Sequence, residues 1–271
     1  MADINSGDDY LSGQQQVFVH SRSGARTTVA NIQYTGRDLA GFPGVASNLT
    51  LANTPSGAIP DQTLPGVPPI EAFAGGAIGR LTAVRYTSNV PCYLRLIDRL
   101  YHVGSYTPNG TTNSITTPPS YSGRLPLYGG VANYRNLRVY AEVSTVIQNS
   151  ACNLSAGYTD YDGVTARTTP TTNIQNFAVG RIIDLGHASG ALGVFNLTSA
   201  IFSTTVTGAV NLFVGRTLWA GRVPGAGGGG IDDMSRTLRP QVWATSCIDL
   251  LVQADSTSFG QPEVTLEIVS K

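Results

Sequence analysis

Residues able to do chemistry are sparse in this chain and seldom stand at the spacing that chemistry requires. Gly225-x-Gly227-x-x-Gly230, with Asp249 further on, has the form of a dinucleotide fingerprint. That motif works as a strand–turn–helix unit with the pyrophosphate on the helix N-terminus. Here Pro240 leaves room for little more than Ile231–Arg239 as a helix, so the glycine run reads as a flexible loop, and Ile231 to Leu238 as at most a helical turn. A phosphate loop of the Gly-Lys-Ser/Thr type is excluded, because Lys271 is the only lysine. Asp160-x-Asp162-Gly163 opens like a calcium loop, in which alternate carboxylates converge on a hard cation, but Val164-Thr165-Ala166-Arg167 follow and no glutamate closes it. Turn chemistry is the better reading. Gly186-His187-Ala188-Ser189-Gly190 sets a histidine near a serine without forming a nucleophile elbow, and reads as a loop.

Histidines His20, His102 and His187 are too dispersed to suggest a metal triad, and a lone histidine is usually structural or solvated. Glutamates are confined to Glu71, Glu142, Glu263 and Glu267, while Asp98 and Asp184 sit in or at the end of apolar strands. A glycosidase on this chain would need two such carboxylates to converge, with Asp98, Glu142 and Asp184 as the candidates. The competing expectation is that Asp98 pairs with Arg95, Arg99 or another arginine of its sheet. Cys92, Cys152 and Cys247 are odd in number, far apart and free of any C-x-x-C pairing, so each reads as a small buried apolar side chain. The expectation is therefore a protein that is not an enzyme, with no catalytic residues, cofactor or metal.

Composition narrows the partners. Charged residues are 13% of the 271, about half the usual share, and 17 Lys+Arg cancel 17 Asp+Glu. No strong field draws such a chain to nucleic acid or anionic lipid, so neither nucleic acid nor membrane is expected as a partner. All basic residues except Lys271 are arginine, the residue suited to planar and lasting contacts at interfaces. The opening Met1–Asp9 is polar and acidic without an apolar h-region, and no later stretch approaches ~18 consecutive apolar residues, so neither an export signal nor a membrane span is read.

The elements that must position these residues fall into two regions. Residues 1–75 lack sustained periodicity apart from Gln16–His20 and Thr27–Tyr34, and Asn53–Pro69 carries five prolines, each of which removes a donor and extends its predecessor. This is read as an extended N-terminal arm with a Pro-rich linker. Its apolar residues, among them Tyr34, Phe42, Leu49 and Leu64, require it to lie on its own domain or on a neighbour. From residue 76 short β-branched and aromatic runs alternate with Gly/Pro/Asn/Thr clusters. Strands are expected at Ile78–Thr87, Cys92–Tyr101, Leu137–Ile147, Leu154–Thr159, Val164–Thr169, Phe177–Leu185, Gly193–Leu197, Ile201–Val206, Ala209–Leu218, Val242–Gln253 and Val264–Val269. Residues 76–271 are thus read as an all-β, jelly-roll-like β-sandwich.

Tyr93-Leu94-Arg95-Leu96-Ile97-Asp98-Arg99-Leu100-Tyr101-His102, then Asn136–Val143, then Ser155-Ala156-Gly157-Tyr158-Thr159 continuing to Arg167-Thr168-Thr169, resembles a family of tailed double-stranded DNA bacteriophage head structural proteins. Its members share an aromatic-Asp-Arg-aromatic-His strand, a strand with a central acidic residue, and a hairpin ending in Arg-Thr-Thr. The resemblance spans roughly residues 75 to 255. It implies a virion component made in the host cytoplasm and carried on the capsid surface: a decoration or cement protein that bridges major capsid protein subunits. An assembling shell protein favours closed symmetry, and a homotrimer is expected. The arm is expected to supply capsid contacts through Tyr34, Arg37 and Phe42. The alternative is a tail or baseplate component, or a host-receptor protein that binds glycans through Tyr106, Tyr121 or Tyr128.

Overall fold

The computed structural model describes residues 7–49, 55–233 and 239–271. Among these residues it is all-β and antiparallel, with one short helix, α1 (Gly7–Ser12), and two 3-10 turns. Contacts divide the chain into two compact units: Met1–Ser47, Asp61–Asp98 and Thr217–Lys271 form the first, Asn48–Pro60 and Arg99–Arg216 the second. The expected boundary at residues 75/76 therefore does not coincide with the division the contacts make.

In the first unit one sheet runs in the order β16 (Gly229–Asp233), β4 (Gly79–Thr87), β19 (Glu263–Ser270), β1 (Gln14–Arg22), β3 (Gly41–Phe42), with β17 (Gln241–Val242) also on β4. The facing strands are β2 (Gln33–Thr35), β18 (Ile248–Ala254) and the first half of β5 (Cys92–Tyr106). Alternation builds the core. Val264, Leu266 and Ile268 of β19 and Ile248, Leu250 and Val252 of β18 point inward, where they meet Leu81, Val84, Leu94, Leu96 and Trp219. Leu81 and Val84 break the two-residue period yet share this core, because a bulge shifts the β4–β19 register between the Ala83–Glu267 and Leu81–Ile268 pairs. Thr82, the extra residue, donates its hydroxyl to Glu267 O at 3.1 Å.

In the second unit one sheet is ordered β11 (Arg167–Thr168), β10 (Asn153–Thr159), β14 (Asn196–Phe202), β6 (Thr112–Ser114), with β12 (Thr172–Asn173) on β10. The other joins β13 (Ile182–Gly186), β9 (Arg138–Thr145) and the first part of β15 (Ala209–Val223). Their inner faces contribute Val139, Ala141, Val143, Leu154, Ala156, Tyr158, Leu197, Phe202, Val210, Leu212 and Val214 to one core. A two-residue hairpin, β7 (Leu127–Tyr128) with β8 (Val131–Ala132), completes the strands.

Most expected strands are present, with three differences in grouping. Gly193–Leu197 and Ile201–Val206 merge across Thr198–Ala200 into β14, the expected Val242–Gln253 strand is split by a turn into β17 and β18, and only Arg167–Thr168 of Val164–Thr169 pairs. The glycine run is not simply a loop. Gly229 and Gly230 begin β16 on β4, and an added Cβ at Gly229 would lie 2.2 Å from Tyr86 O, so close backbone approach explains the glycine there. The expected helical turn is replaced by strand through Asp233, and residues 234–238 lie outside those described.

The largest difference lies in residues 1–75. β1 is a nine-residue strand between β19 and β3, and its polar face is the buried one: Gln16, His20 and Arg22 are inside while Val17 is 62% exposed. Those side chains hold the proline-rich segment. Gln14 Oε1 accepts from Ala74 N–H at 3.0 Å, and the Gln16 amide makes a reciprocal pair with Glu71, accepting its N–H at 3.0 Å and donating to its O at 3.1 Å. Arg22 donates to Pro43 O at 2.7 Å and Gly66 O at 2.5 Å, and His20 Nε2 lies 3.0 Å from Gly66 O. Prolines cannot donate to a ladder and leave their neighbours' backbone groups to be satisfied by other means, and four side chains of one β1 face, Gln14, Gln16, His20 and Arg22, do this while Phe18 between them packs on the apolar core. Val67, Ile70 and Phe73 are buried as a result.

Burial, and next the adjacent Arg22 charge, push the His20 imidazole from 6.5 down to about 4. The native state thus resists a proton that the unfolded chain accepts, so this group's contribution is complete above pH 6.5 and is lost as pH falls toward 4. We expect denaturant unfolding to show about 2–3 kcal/mol less stability from this source at pH 4.5 than at pH 7. His20→Gln should remove that share of the pH dependence, and an unchanged slope would refute it.

Candidate functional site

Each of the acidic residues that a glycosidase would need, Asp98, Glu142 and Asp184, already has ionic or hydrogen-bond partners. Glu142 of β9 is fully buried and paired with Arg99 of β5 through both guanidinium nitrogens, at 2.7 and 3.3 Å, and it accepts from Asn211 Nδ2 at 3.2 Å. Asn211 also donates to Leu49 O at 2.9 Å, and the Arg99 guanidinium lies 4.0 Å above the Phe213 ring. Asp98, also without solvent exposure, accepts from Ser246 Oγ and Cys247 N–H, both at 3.0 Å. Asp184 meets Arg138 Nε at 2.8 Å on the surface and accepts from Gly186 N–H at 3.0 Å. Asp98 belongs to the first unit and Glu142 and Asp184 to the second.

Turn chemistry accounts for Asp160–Gly163. Asp160 Oδ1 accepts from Tyr161 N–H (2.7 Å) and Gly193 N–H (3.2 Å), Asp162 Oδ1 accepts from Val164 N–H (3.1 Å), and Gly163 takes a positive φ of 85°. His187 Nε2 sits 2.7 Å from Leu137 O. The three cysteines are free and buried, and burial raises the thiol pKa of Cys92 and Cys152. Among the described residues no three His, Cys, Asp or Glu side chains converge.

Of the three residues expected at a capsid contact, only Phe42 is at the surface, with 56% exposure. Tyr34 is corrected to a core residue whose ring packs in the first unit and whose hydroxyl accepts from Val29 N–H at 3.3 Å. Arg37 is corrected likewise: it is fully buried, with Nε 3.8 Å from the buried Asp249, which also accepts from Thr35 Oγ1. Both lie too deep to touch a partner. Phe42 instead adjoins a shallow groove of about 340 Å³ lined by Pro43–Val45 and Gln62–Val67, with Val45 51% exposed.

The tyrosines expected on loops divide the same way. Tyr121 is buried, its hydroxyl within 2.9 and 2.8 Å of the Val194 and Phe195 carbonyls, and burial raises its pKa well above the ordinary value. Tyr106 is half-buried, and burial pushes it up to about 12. Tyr128, at 84% exposure, stands at the tip of the β7–β8 hairpin. Gly129 (φ 59°) and Gly130 (φ 81°) make the two-residue turn that requires positive φ at both central positions.

This hairpin exposes Leu127 (66%) and Val131 (69%) as well. Its base is fixed. Asn133 N–H donates to Pro126 O (2.9 Å), Asn136 N–H to Leu192 O (2.9 Å), and Tyr134 packs its ring 4.8 Å from that of Phe195 and 5.8 Å from that of Tyr121. Buried Arg124 just before it donates to Pro60 O and Arg99 O. Leu192 and Phe195, exposed by 53% and 44%, border the same base. A two-stranded ribbon is marginal alone. By the register of the pair, Tyr128 and Val131 share one face of the ribbon and Leu127 lies on the other, so both faces of the tip present apolar side chains to solvent. The sequence signal was the pair Gly129-Gly130 between apolar residues, which the strand pattern alone did not bring out.

No family model and no curated protein matches the chain. Among solved structures it has a low likeness to the infectious bursal disease virus VP2 subviral particle, at 12% identity over 99% of this chain and 83% of that one, with a TM-score of 0.19. For the infectious bursal disease virus Gt strain the figures are 9%, 95%, 81% and 0.17. Likenesses at these values carry no argument about what the chain does.

The buried Arg99–Glu142 pair generates a clear expectation. Arg99→Leu strands the Glu142 carboxylate in a site closed to water and should lower stability by about 3–5 kcal/mol in urea unfolding, whereas Arg99→Leu with Glu142→Leu should recover most of the loss. Equal losses in the single and double variants would show that packing rather than charge sets the cost.

Proposed function

We propose that this chain is a non-enzymatic virion structural protein, a decoration or cement protein that sits on the capsid surface and bridges major capsid protein subunits as a homotrimer. The observation that carries the reading is the apolar β7–β8 tip: Leu127, Tyr128 and Val131 exposed on a ribbon whose base is held by backbone hydrogen bonds, by the buried Arg124 contacts and by the edge-on and tilted contacts of the Tyr134 ring. An apolar finger anchored at its base loses less entropy on docking than a free loop would, and that suits insertion into a groove between neighbouring subunits. The resemblance of Tyr93–His102 and the Arg167-Thr168-Thr169 hairpin to tailed-bacteriophage head proteins supports the same reading. So does the low charge, which favours lasting apolar contact over electrostatic steering.

The test is co-sedimentation of the purified protein with phage heads stripped of decoration. Truncation of the first 70 residues is unsuitable, because it removes β1 from the middle of its sheet. The informative variant is Leu127→Ser/Tyr128→Ser/Val131→Ser, which changes only exposed side chains. Saturable binding at hundreds of copies per head, weakened at least about tenfold in this variant, is the expected result. A folded wild-type protein that fails to bind heads would overturn the reading, as would full binding by the variant. Sedimentation velocity of the free protein checks the trimer.

A further inference from the structure

The outer face of the β2–β18–β5 sheet carries a second feature, independent of the hairpin. Gln33, Gln253 and Tyr93 stand directly opposite one another across three adjacent strands, so their side chains form one lateral row, with neighbours about 4.8 Å apart. Arg95, two residues along β5, projects from the same face. Together with Leu94 and Ala220 they line a groove of about 390 Å³, within the range of small-molecule sites. The same face is closed over further along, where Thr35 and Arg37 are buried against Asp249, and it opens at the glutamine–tyrosine row.

The chemistry of the row is specific. Gln33, Gln253 and Arg95 are all half-buried, yet among the described residues their side chains make no hydrogen bond or ion pair. Two primary amides and a guanidinium are thus partly desolvated and unpaired around an aromatic ring that is 45% exposed. The ring itself is held: the Arg222 guanidinium lies 5.1 Å from its centroid and is paired in turn with Asp255 at 3.7 Å. A ring face takes the electropositive C–H face of a pyranose, and amides supply donor and acceptor together for vicinal hydroxyls. An unpaired guanidinium adds a bidentate seat for a carboxylate.

We propose that this groove binds a carbohydrate bearing a carboxylate, a uronate-type sugar, with its ring on Tyr93, its hydroxyls on Gln33 and Gln253 and its carboxylate on Arg95. The site is separate from the capsid-docking reading and does not depend on it. On a particle surface it would give adhesion to acidic polysaccharide.

The experiment is ligand-observed NMR and calorimetric titration of the full-length protein with digalacturonate and diglucuronate, beside the methyl esters of the same sugars. Millimolar, saturable binding of the acids is expected, at least about tenfold tighter than of the esters. Tyr93→Ala should weaken acid and ester alike, and Arg95→Gln should abolish the acid preference while leaving ester binding unchanged. Ala220→Trp fills the groove from β15 without removing any polar group and should block both. All three positions reach the surface, and an unshifted thermal midpoint shows that each variant is folded. Absence of saturable binding by the folded wild type overturns the proposal, and so does binding that survives both Tyr93→Ala and Ala220→Trp. Equal affinity for acid and ester overturns the role of Arg95.

Discussion

The first unit depends on how the proline-rich chain from residue 61 to 74 finds hydrogen-bond partners. A segment that cannot form a ladder can be buried only if side chains take the place of the missing strand. β1 provides them at two-residue spacing: Gln14 and Gln16 bond the backbone of Ala74 and Glu71, and His20 and Arg22 converge on Gly66, with Arg22 reaching Pro43 as well. Val67, Ile70 and Phe73 can then be buried without stranding polar backbone. The polar face of a strand has become its inner face, and an imidazole that must stay neutral is the consequence.

The second unit uses buried charge differently. Arg99, Glu142 and Asn211 bring together residues from β5, β9 and β15, and Asn211 extends the network to Leu49. A buried ion pair of this kind is weak evidence of stability in itself, since apolar residues of equal volume often do as well. Its directional bonds are well suited to fixing register, because a one-residue slip would separate the guanidinium from its carboxylate. Both units thus pair the charged and amide groups of these networks in the interior and leave apolar groups outside at a few places, the β7–β8 tip foremost.

Much of the fold was legible in the residues. β-branched and aromatic runs bounded by turn residues marked β4, β9, β10, β15 and β19 to within a few positions, although only parts of β4 and β19 alternate in burial while β9, β10 and the first half of β15 are buried on both faces. Val164–Thr169 was less legible, since Asp160 and Asp162 use their carboxylates to hold a turn and delay pairing until Arg167. β1 was seen only as Gln16–His20, with Val17 and Val19 the natural inward pair. Nothing local says that Gln16 and Arg22 will be inside, because their partners lie some 45 to 55 residues away in sequence.

By itself the sequence determined the antiparallel all-β class, the positions of most strands, the burial of the three cysteines and the turn role of Asp160–Gly163. These follow from period, β-branching and turn residues, which act over a few neighbours. Only the tertiary structure decided that Tyr34 and Arg37 are interior, that Tyr128 is exposed while Tyr121 is buried, and that Gln33, Gln253 and Tyr93 stand in one row. Each of these depends on which distant strand pairs with which, and on the register of that pairing. Local preference does not encode either, because a polar side chain is stable in water or in the interior provided it has a partner.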